Sequence, residues 1–215
     1  MGENGTAETG QGLGTMAAAD AVKVSYGRRL PMAQRRAAAE LYWQAFGTKL
    51  GRVLGPGPKA LAYIERVLAP DHAFLALSEA GEVLGLIGFR TARGSFVAGG
   101  PDDLRAIYGR FGALWRRGAM ALLPHEQIVE GVVVDGLVVR PDMRGKGLGA
   151  ALLETLCLEA QARGHAAVRL DVVEENLRAR ALYERLGFAV HGRRRHRLTR
   201  LLFDFGGVWV MVRRF

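Results

Sequence analysis

Leu137-Val138-Val139-Arg140-Pro141-Asp142-Met143-Arg144-Gly145-Lys146-Gly147-Leu148-Gly149-Ala150 places three glycines in five residues between a β-branched run and an amphipathic stretch. The run from about Val132 to Val139 reads as a strand, and the stretch from Gly147 to Arg163, closed by Gly164, reads as a helix. A strand that turns through glycines into a helix has a chemical consequence. Glycine lets the backbone approach a ligand and take up turn conformations that a Cβ excludes. The first amides of the following helix have no intrahelical partner and sit at its positive end. Such a turn is an anion site, reinforced here by Arg144 and Lys146. Gly145, Gly147 and Gly149 do not have the spacing of the dinucleotide fingerprint, and no Gly-Lys-Ser/Thr follows to make a P-loop. Taken alone, the turn indicates phosphate or pyrophosphate, or a glycine-rich turn without a ligand.

Downstream, Val168 to Val173 reads as a strand and Asn176 to Leu186 as a helix, with Asn176 as N-cap and Gly187 as its stop. Ala179, Leu182, Tyr183 and Leu186 fall on one face of that helix. Two strand-like runs follow, Phe188 to Arg195 and Val208 to Arg213. Upstream, Val22, Val24 and Tyr26 alternate as a first strand, and Pro31 opens a helix through Leu41, Tyr42, Ala45 and Phe46. Gly51, Gly55, Pro56, Gly57 and Pro58 predict a break before a short helix with Leu61, Ile64 and Leu68 on one face. Ala73 to Leu77 and Val83 to Phe89 flank a hairpin turn. Residues 91–130 form an insertion whose centre, 101–123, sets Leu104, Ile107, Tyr108, Phe111, Leu114 and Trp115 at helical spacing. This stripe predicts packing against the domain or a second subunit. The mixture of helices and strands in this order is that of a single α+β (mixed α/β) domain over 22–215.

Composition narrows the partners. The 215 residues carry 30 Lys+Arg against 21 Asp+Glu, a formal charge of +9. Residues 1–21 are rich in Gly, Ala and Thr, hold Glu3, Glu8 and Asp20 without a Lys or Arg, and read as a disordered leader, so the remainder stands at +12. The opening Met-Gly-Glu-Asn-Gly-Thr fits an N-myristoylation pattern, but nothing else in the sequence supports a lipid anchor. No apolar run reaches the roughly 18 residues of a membrane span. The one cysteine, Cys157, excludes an internal disulfide and lies on the apolar face of its helix as a core thiol. The five histidines show no metal-ligand spacing, so no metal is expected. The expected location is the cytoplasm. The run His191 to Arg197 could meet nucleic-acid phosphates, lie near a ligand phosphate, or guard a strand edge against aggregation, which is the default. No recognition helix or aromatic platform supports nucleic-acid reading.

Arg144-Gly145-Lys146-Gly147-Leu148-Gly149 matches the Arg/Gln-x-x-Gly-x-Gly/Ala signature of the GNAT superfamily of N-acetyltransferases. Asn176, Ala179, Leu182, Tyr183, Gly187 and Phe188 match its second signature at the usual distance. The resemblance is specific over about Val132 to Val190 and extends by element order alone to the rest. It implies a mixed, mostly antiparallel twisted sheet flanked by helices and splayed between its fourth and fifth strands. It implies acetyl-CoA as acyl donor, with its pyrophosphate on the amides of Arg144, Gly145, Lys146, Gly147, Leu148, Gly149 and Ala150. The pantetheine arm would pair with Leu137, Val138 and Val139 and meet Asn176 and Ala179.

Tyr183 matches the tyrosine that protonates the departing thiolate, though a half-buried packing tyrosine would look the same. The Val139 amide would face the oxyanion. The position of the family's glutamate base is Val133 here, which leaves Asp135, on the same face of a regular strand, or Glu130 just before it. A structural alternative has Asp135 fixing a turn or bulge beside Gly136. The acceptor side would be shaped by Tyr42, Trp43, Phe46, Phe203, Asp204 and Phe205. The implied function is transfer of acetyl to a primary amine in a ternary complex, with a homodimer possible through the 101–123 helix. A catalytically silent acyl-CoA-binding module and a protein- or ribosome-directed acetyltransferase remain the alternatives.

Overall fold

The computed structural model describes residues 25–121, 131–195 and 207–215. The 1–21 leader, Val22 and Val24 of the expected first strand, Glu130, Phe203, Asp204, Phe205 and the basic His196, Arg197 and Arg200 lie outside the described residues. Seven strands follow one another: β1 (Ser25–Arg28), β2 (Ala73–Leu77), β3 (Val83–Thr91), β4 (Val132–Val139), β5 (Ala167–Val173), β6 (Ala189–Arg195) and β7 (Gly207–Arg214). In the sheet they lie in the order β1-β2-β3-β4-β5-β7-β6, and a two-residue strand, Gly94–Ser95, pairs with β3 outside that path. Every pair is antiparallel except β4–β5. That parallel pair meets only at Val132↔Val168 and Val133↔Arg169. Beyond Val133 the strands diverge, so the expected splay between the fourth and fifth strands is present.

Helices cover both faces. α1 (Arg35–Leu54) and α2 (Gly57–Val67) pack on one, with α3 (Pro101–Ala121) against them. α4 (Leu148–Ala162) lies on the other, where Ala179 and Tyr183 of α5 (Leu177–Arg185) also pack. The core is accordingly double. Leu75, Leu86 and Val138 join Leu41, Ile64 and Leu104 on the α1 side. Ile87, Val132, Leu152, Leu156, Val168 and Met211 fill the α4 side. Cys157 is buried there, and burial pushes its thiol up to about 11, so it stays protonated and inert near neutral pH.

Three elements depart from the sequence expectation. α1 runs through Gly51 to Leu54, because the turn around Gly55 and Pro56 breaks the chain without help from Gly51. β4 is not regular: Gly88 pairs with Gly136 but Phe89 with Val134, which leaves Asp135 as an extra, bulged residue. The 101–123 stripe is not one face. Gly109 takes φ +70°, which glycine alone adopts cheaply, and the resulting kink rephases the helix. Leu104, Ala113, Arg116 and Ala119 therefore turn inward, while Phe111, Leu114 and Trp115 are 91%, 70% and 48% exposed. Tyr108 stays half-buried and donates its hydroxyl hydrogen bond to the Leu54 carbonyl. The buried Arg116 guanidinium lies 3.8 Å from the centre of the Tyr108 ring and donates to Gly55 O at 2.7 Å, which holds α3 to the end of α1.

The basic run observed on β6 does lie on an edge strand of the sheet. Arg193 there pairs with Glu174, and its guanidinium covers the Trp209 ring at 4.9 Å. Among the described residues, no helix is long and apolar enough to cross a membrane.

Candidate active site

The splay, the glycine turn and α5 enclose a groove of about 630 Å³, within the usual size of a small-molecule site. Leu137 and Val139 of β4 form one wall; Met143, Arg144, Gly145, Gly147, Leu148, Gly149 and Ala150 form the floor; Asn176, Ala179 and Tyr183 close it from α5. These residues are 137, 139, most of 144–150, 176, 179 and 183 of the sequence expectation, assembled from three separate elements.

Each wall has a local cause. Gly147 is the N-cap of α4 in the left-handed conformation, φ +83°, and Gly145 has the same φ. The first helical hydrogen bond of α4 runs from the Ala151 amide to Gly147 O at 3.0 Å. The Leu148, Gly149 and Ala150 amides precede it, so they face the groove mouth without an intrahelical acceptor. No acidic residue lies in that first turn. Asp142, the nearest carboxylate in sequence, is engaged by Arg140 at 2.8 and 2.9 Å, so it does not neutralise the site. Arg144 is braced by a 3.2 Å hydrogen bond from its Nε to Val139 O. The resulting floor is cationic and rich in donors, the chemistry that a pyrophosphate requires.

On the far wall, Asn176 caps α5 by accepting from the Ala179 amide at 3.1 Å, which leaves its side-chain NH₂ free to donate. Tyr183 packs against Phe188, ring centres 6.2 Å apart, and burial pushes its phenol up to about 12. It therefore stays protonated near neutral pH.

The structure separates other expected residues from the groove. The Val138 side chain is buried on the opposite face in the α1-side core, and its backbone turns toward Leu86 of β3, as the Arg140 amide does toward Leu84 O, so Val138 does not reach a ligand in the splay. Lys146 is not in the lining; its ammonium lies 3.7 Å from Met143 Sδ. Asp135 is also outside it, with one carboxylate oxygen accepting from the Phe96 amide at 3.1 Å and the other 3.3 Å from Arg90 Nε. Burial raises this carboxyl above the usual range, while Arg90, the Phe96 amide and His72 draw it back. Tyr42 is buried, 4.6 Å from the Phe46 ring and 6.0 Å from Phe96, and Trp43 and Phe46 are partly buried against the same core. Among the described residues there is no cluster of metal-binding side chains.

Sequence reading missed Arg178, Leu182 and Arg185 as groove residues. Their i, i+4, i+7 spacing on α5 marks one helical stripe and was available in the sequence. Arg178 Nη2 would stand 3.8 Å from a Cβ on Gly145, so it overhangs the turn. Arg144→Ala and Arg178→Ala are each expected to weaken acetyl-CoA binding about tenfold, since a charge-assisted hydrogen bond contributes about 1.5–3 kcal/mol. Calorimetry at two salt concentrations checks this, with the loss larger at low salt.

A donor-rich groove set at the splay of a mixed sheet is the arrangement that the resemblance to the GNAT superfamily implies. The model of the acetyltransferase (GNAT) family matches residues 35–188, and the chain belongs to that family. Among its relatives is the [ribosomal protein bS18]-alanine N-acetyltransferase of Escherichia coli K12, 42% identical over 76 residues, 35% of this chain and 51% of that one. The glucosamine 6-phosphate N-acetyltransferase of Trypanosoma brucei brucei is 42% identical over 60 residues, 28% of this chain and 39% of that one. The chain thus spans about half the length, or less, of the curated relatives it matches. A solved N-acetyltransferase from Staphylococcus aureus Mu50 superposes with a TM-score of 0.61 at 16% identity, over 88% of this chain and 99% of that one, and shares its fold.

Proposed function

We propose that the chain is an acyl-CoA-dependent N-acetyltransferase that moves acetyl from acetyl-CoA to a primary amine by direct attack in a ternary complex. The observation that carries this reading is the groove itself, in which unsatisfied α4 amides, the free edge of β4 and the Tyr183 phenol converge. The residues fit the donor: the amides of 148–150 with Arg144 and Arg178 hold the pyrophosphate, and the β4 edge beyond Val133, outside the pairing with β5, offers Leu137 and the Val139 amide to the pantetheine arm.

The amine nitrogen attacks the thioester carbonyl carbon, and the Val139 amide receives the developing oxyanion. As the C–S bond breaks, Tyr183 gives its proton to the leaving thiolate. The proton lost by the amine passes to solvent or to Glu130, the base candidate that remains once Asp135 is engaged elsewhere. The relatives act, by name, on a ribosomal protein, an amino sugar phosphate and methionine sulfoximine, so their likeness does not choose the acceptor. Protein-directed transfer is a second reading, supported by the bS18-alanine relative and the basic edge of β6.

The test is thiol release from acetyl-CoA across a panel of small amines, peptides and ribosomal proteins. Release with at least one class supports the reading. Tight acetyl-CoA binding without release for any class supports a silent binding module instead. The exposed Phe111, Leu114 and Trp115 ridge supports a homodimer through the 101–123 helix. Sedimentation should then show a dimer that Phe111→Asp dissociates.

A further inference from the structure

Asp135 is the residue that the β3–β4 ladder skips, and its surroundings are built to hold it there. Its side chain is only 13% exposed. Arg90 faces it from β3, the Phe96 amide from the segment after β3, His72 from the turn before β2, and Tyr42 from α1. Arg90 Nε is buried and makes no aligned hydrogen bond, so its hold on the carboxylate is Coulombic.

Two glycines lie opposite each other beside the bulge, and rings from other elements occupy the space a side chain would need. A Cβ on Gly88 would fall 2.2 Å from the Phe96 ring, and one on Gly136 would fall 3.0 Å from Phe46 and 3.3 Å from Tyr42.

The bulge decides which face of β4 meets the groove. Val132 and Val134 pack toward α4, and so do Leu137 and Val139. Strand side chains alternate with period two, so an odd step from 134 to 137 needs one extra residue. Without it, Leu137 and Val139 would turn toward α1 and Val138 would enter the groove. We propose that Asp135, clasped by Arg90 and the Phe96 amide, is a positioning residue that fixes this bulge and so sets the face and edge that Leu137 to Val139 offer to acyl-CoA. The assignment rests on the acyl-CoA reading of the groove.

The test uses the full chain with Asp135→Ala, Asp135→Asn and Arg90→Met. Acetyl-CoA affinity is read by calorimetry, turnover by thiol release, and folding by thermal unfolding. Asp135→Ala is expected to weaken acetyl-CoA binding at least tenfold. Asp135→Asn, whose amide oxygen still accepts from Phe96, should restore binding to within about threefold, and Arg90→Met should fall between them. Unchanged affinity in all three, whatever happens to the melting temperature, overturns the proposal.

Loss of turnover by 100-fold or more in both Ala and Asn variants, with the acidic limb of the pH profile gone and affinity intact, overturns it in favour of a general base. Should Asp135→Ala not fold, the other two decide: a weakened Arg90→Met beside a near-normal Asp135→Asn supports the clasp, and any other pattern rejects it. If the unaltered chain itself binds no acetyl-CoA, the groove reading fails and this assignment falls with it, a result distinct from normal binding that the variants leave untouched.

Discussion

Tyr183→Phe is expected to lower kcat about 100-fold while the acetyl-CoA dissociation constant stays within about twofold. The ring that packs on Phe188 is retained, so the groove keeps its shape. Only the hydroxyl is lost, and proton donation by a positioned side chain is commonly worth about 10² or more in rate. Burial has already pushed the phenol up to about 12, so no alkaline limb from this group should appear below about pH 10. The same shift bears on stability. A folded-state value above the unfolded one means that the contribution is complete below about pH 10 and is lost as pH rises toward 12. A Phe variant with full turnover would return Tyr183 to the role of a packing residue.

Gly149→Leu should abolish acetyl-CoA binding, by at least 100-fold, without destabilising the fold. Gly149 lies in the first turn of α4, and a Cβ there would sit 3.6 Å from Val139 and 3.9 Å from Leu137 and Leu182, which is ordinary contact. The remaining carbons of leucine must then extend among those three groove residues, into the space the ligand needs. Meanwhile, removing a helical glycine favours the helix by about 0.5–1 kcal/mol, so the melting temperature should hold or rise. Loss of binding with equal loss of stability would mean that the residue failed for another reason. Gly147→Ala is the contrasting case: its Cβ meets nothing within 4 Å, but φ is +83°, and backbone strain of about 1–2 kcal/mol should appear as lost stability.

Where the chemistry is local, the sequence was legible. The glycine turn, the Asn176 cap and the Tyr183 stripe each depend on neighbours within a few positions, and all were found where expected. The order and pairing of the strands around the splay were carried by the family signatures rather than by periodicity. Non-local packing was not legible. Asp135 shares a face with Val133 in any regular strand, and only the Phe89–Val134 pairing shows the extra residue. The 101–121 stripe reads as one face until Gly109 takes φ +70° and turns Phe111 and Leu114 outward. Tyr42 and Phe46 are aromatic residues on a helix, and nothing nearby in sequence says that their rings cover Gly136. The stripe of Arg178, Leu182 and Arg185 was available, but the family signature marks only Asn176, Ala179 and Tyr183 of this helix as ligand contacts.

Catalysis as proposed requires that the groove between β4, the α4 N-terminus and α5 hold acetyl-CoA. Calorimetric titration of the intact chain with acetyl-CoA tests it most directly. Saturable binding of one acetyl-CoA per chain is expected, weakened by Arg144→Ala and lost in Gly149→Leu. No saturable heat from the unaltered chain, or binding that Gly149→Leu leaves intact, would contradict it.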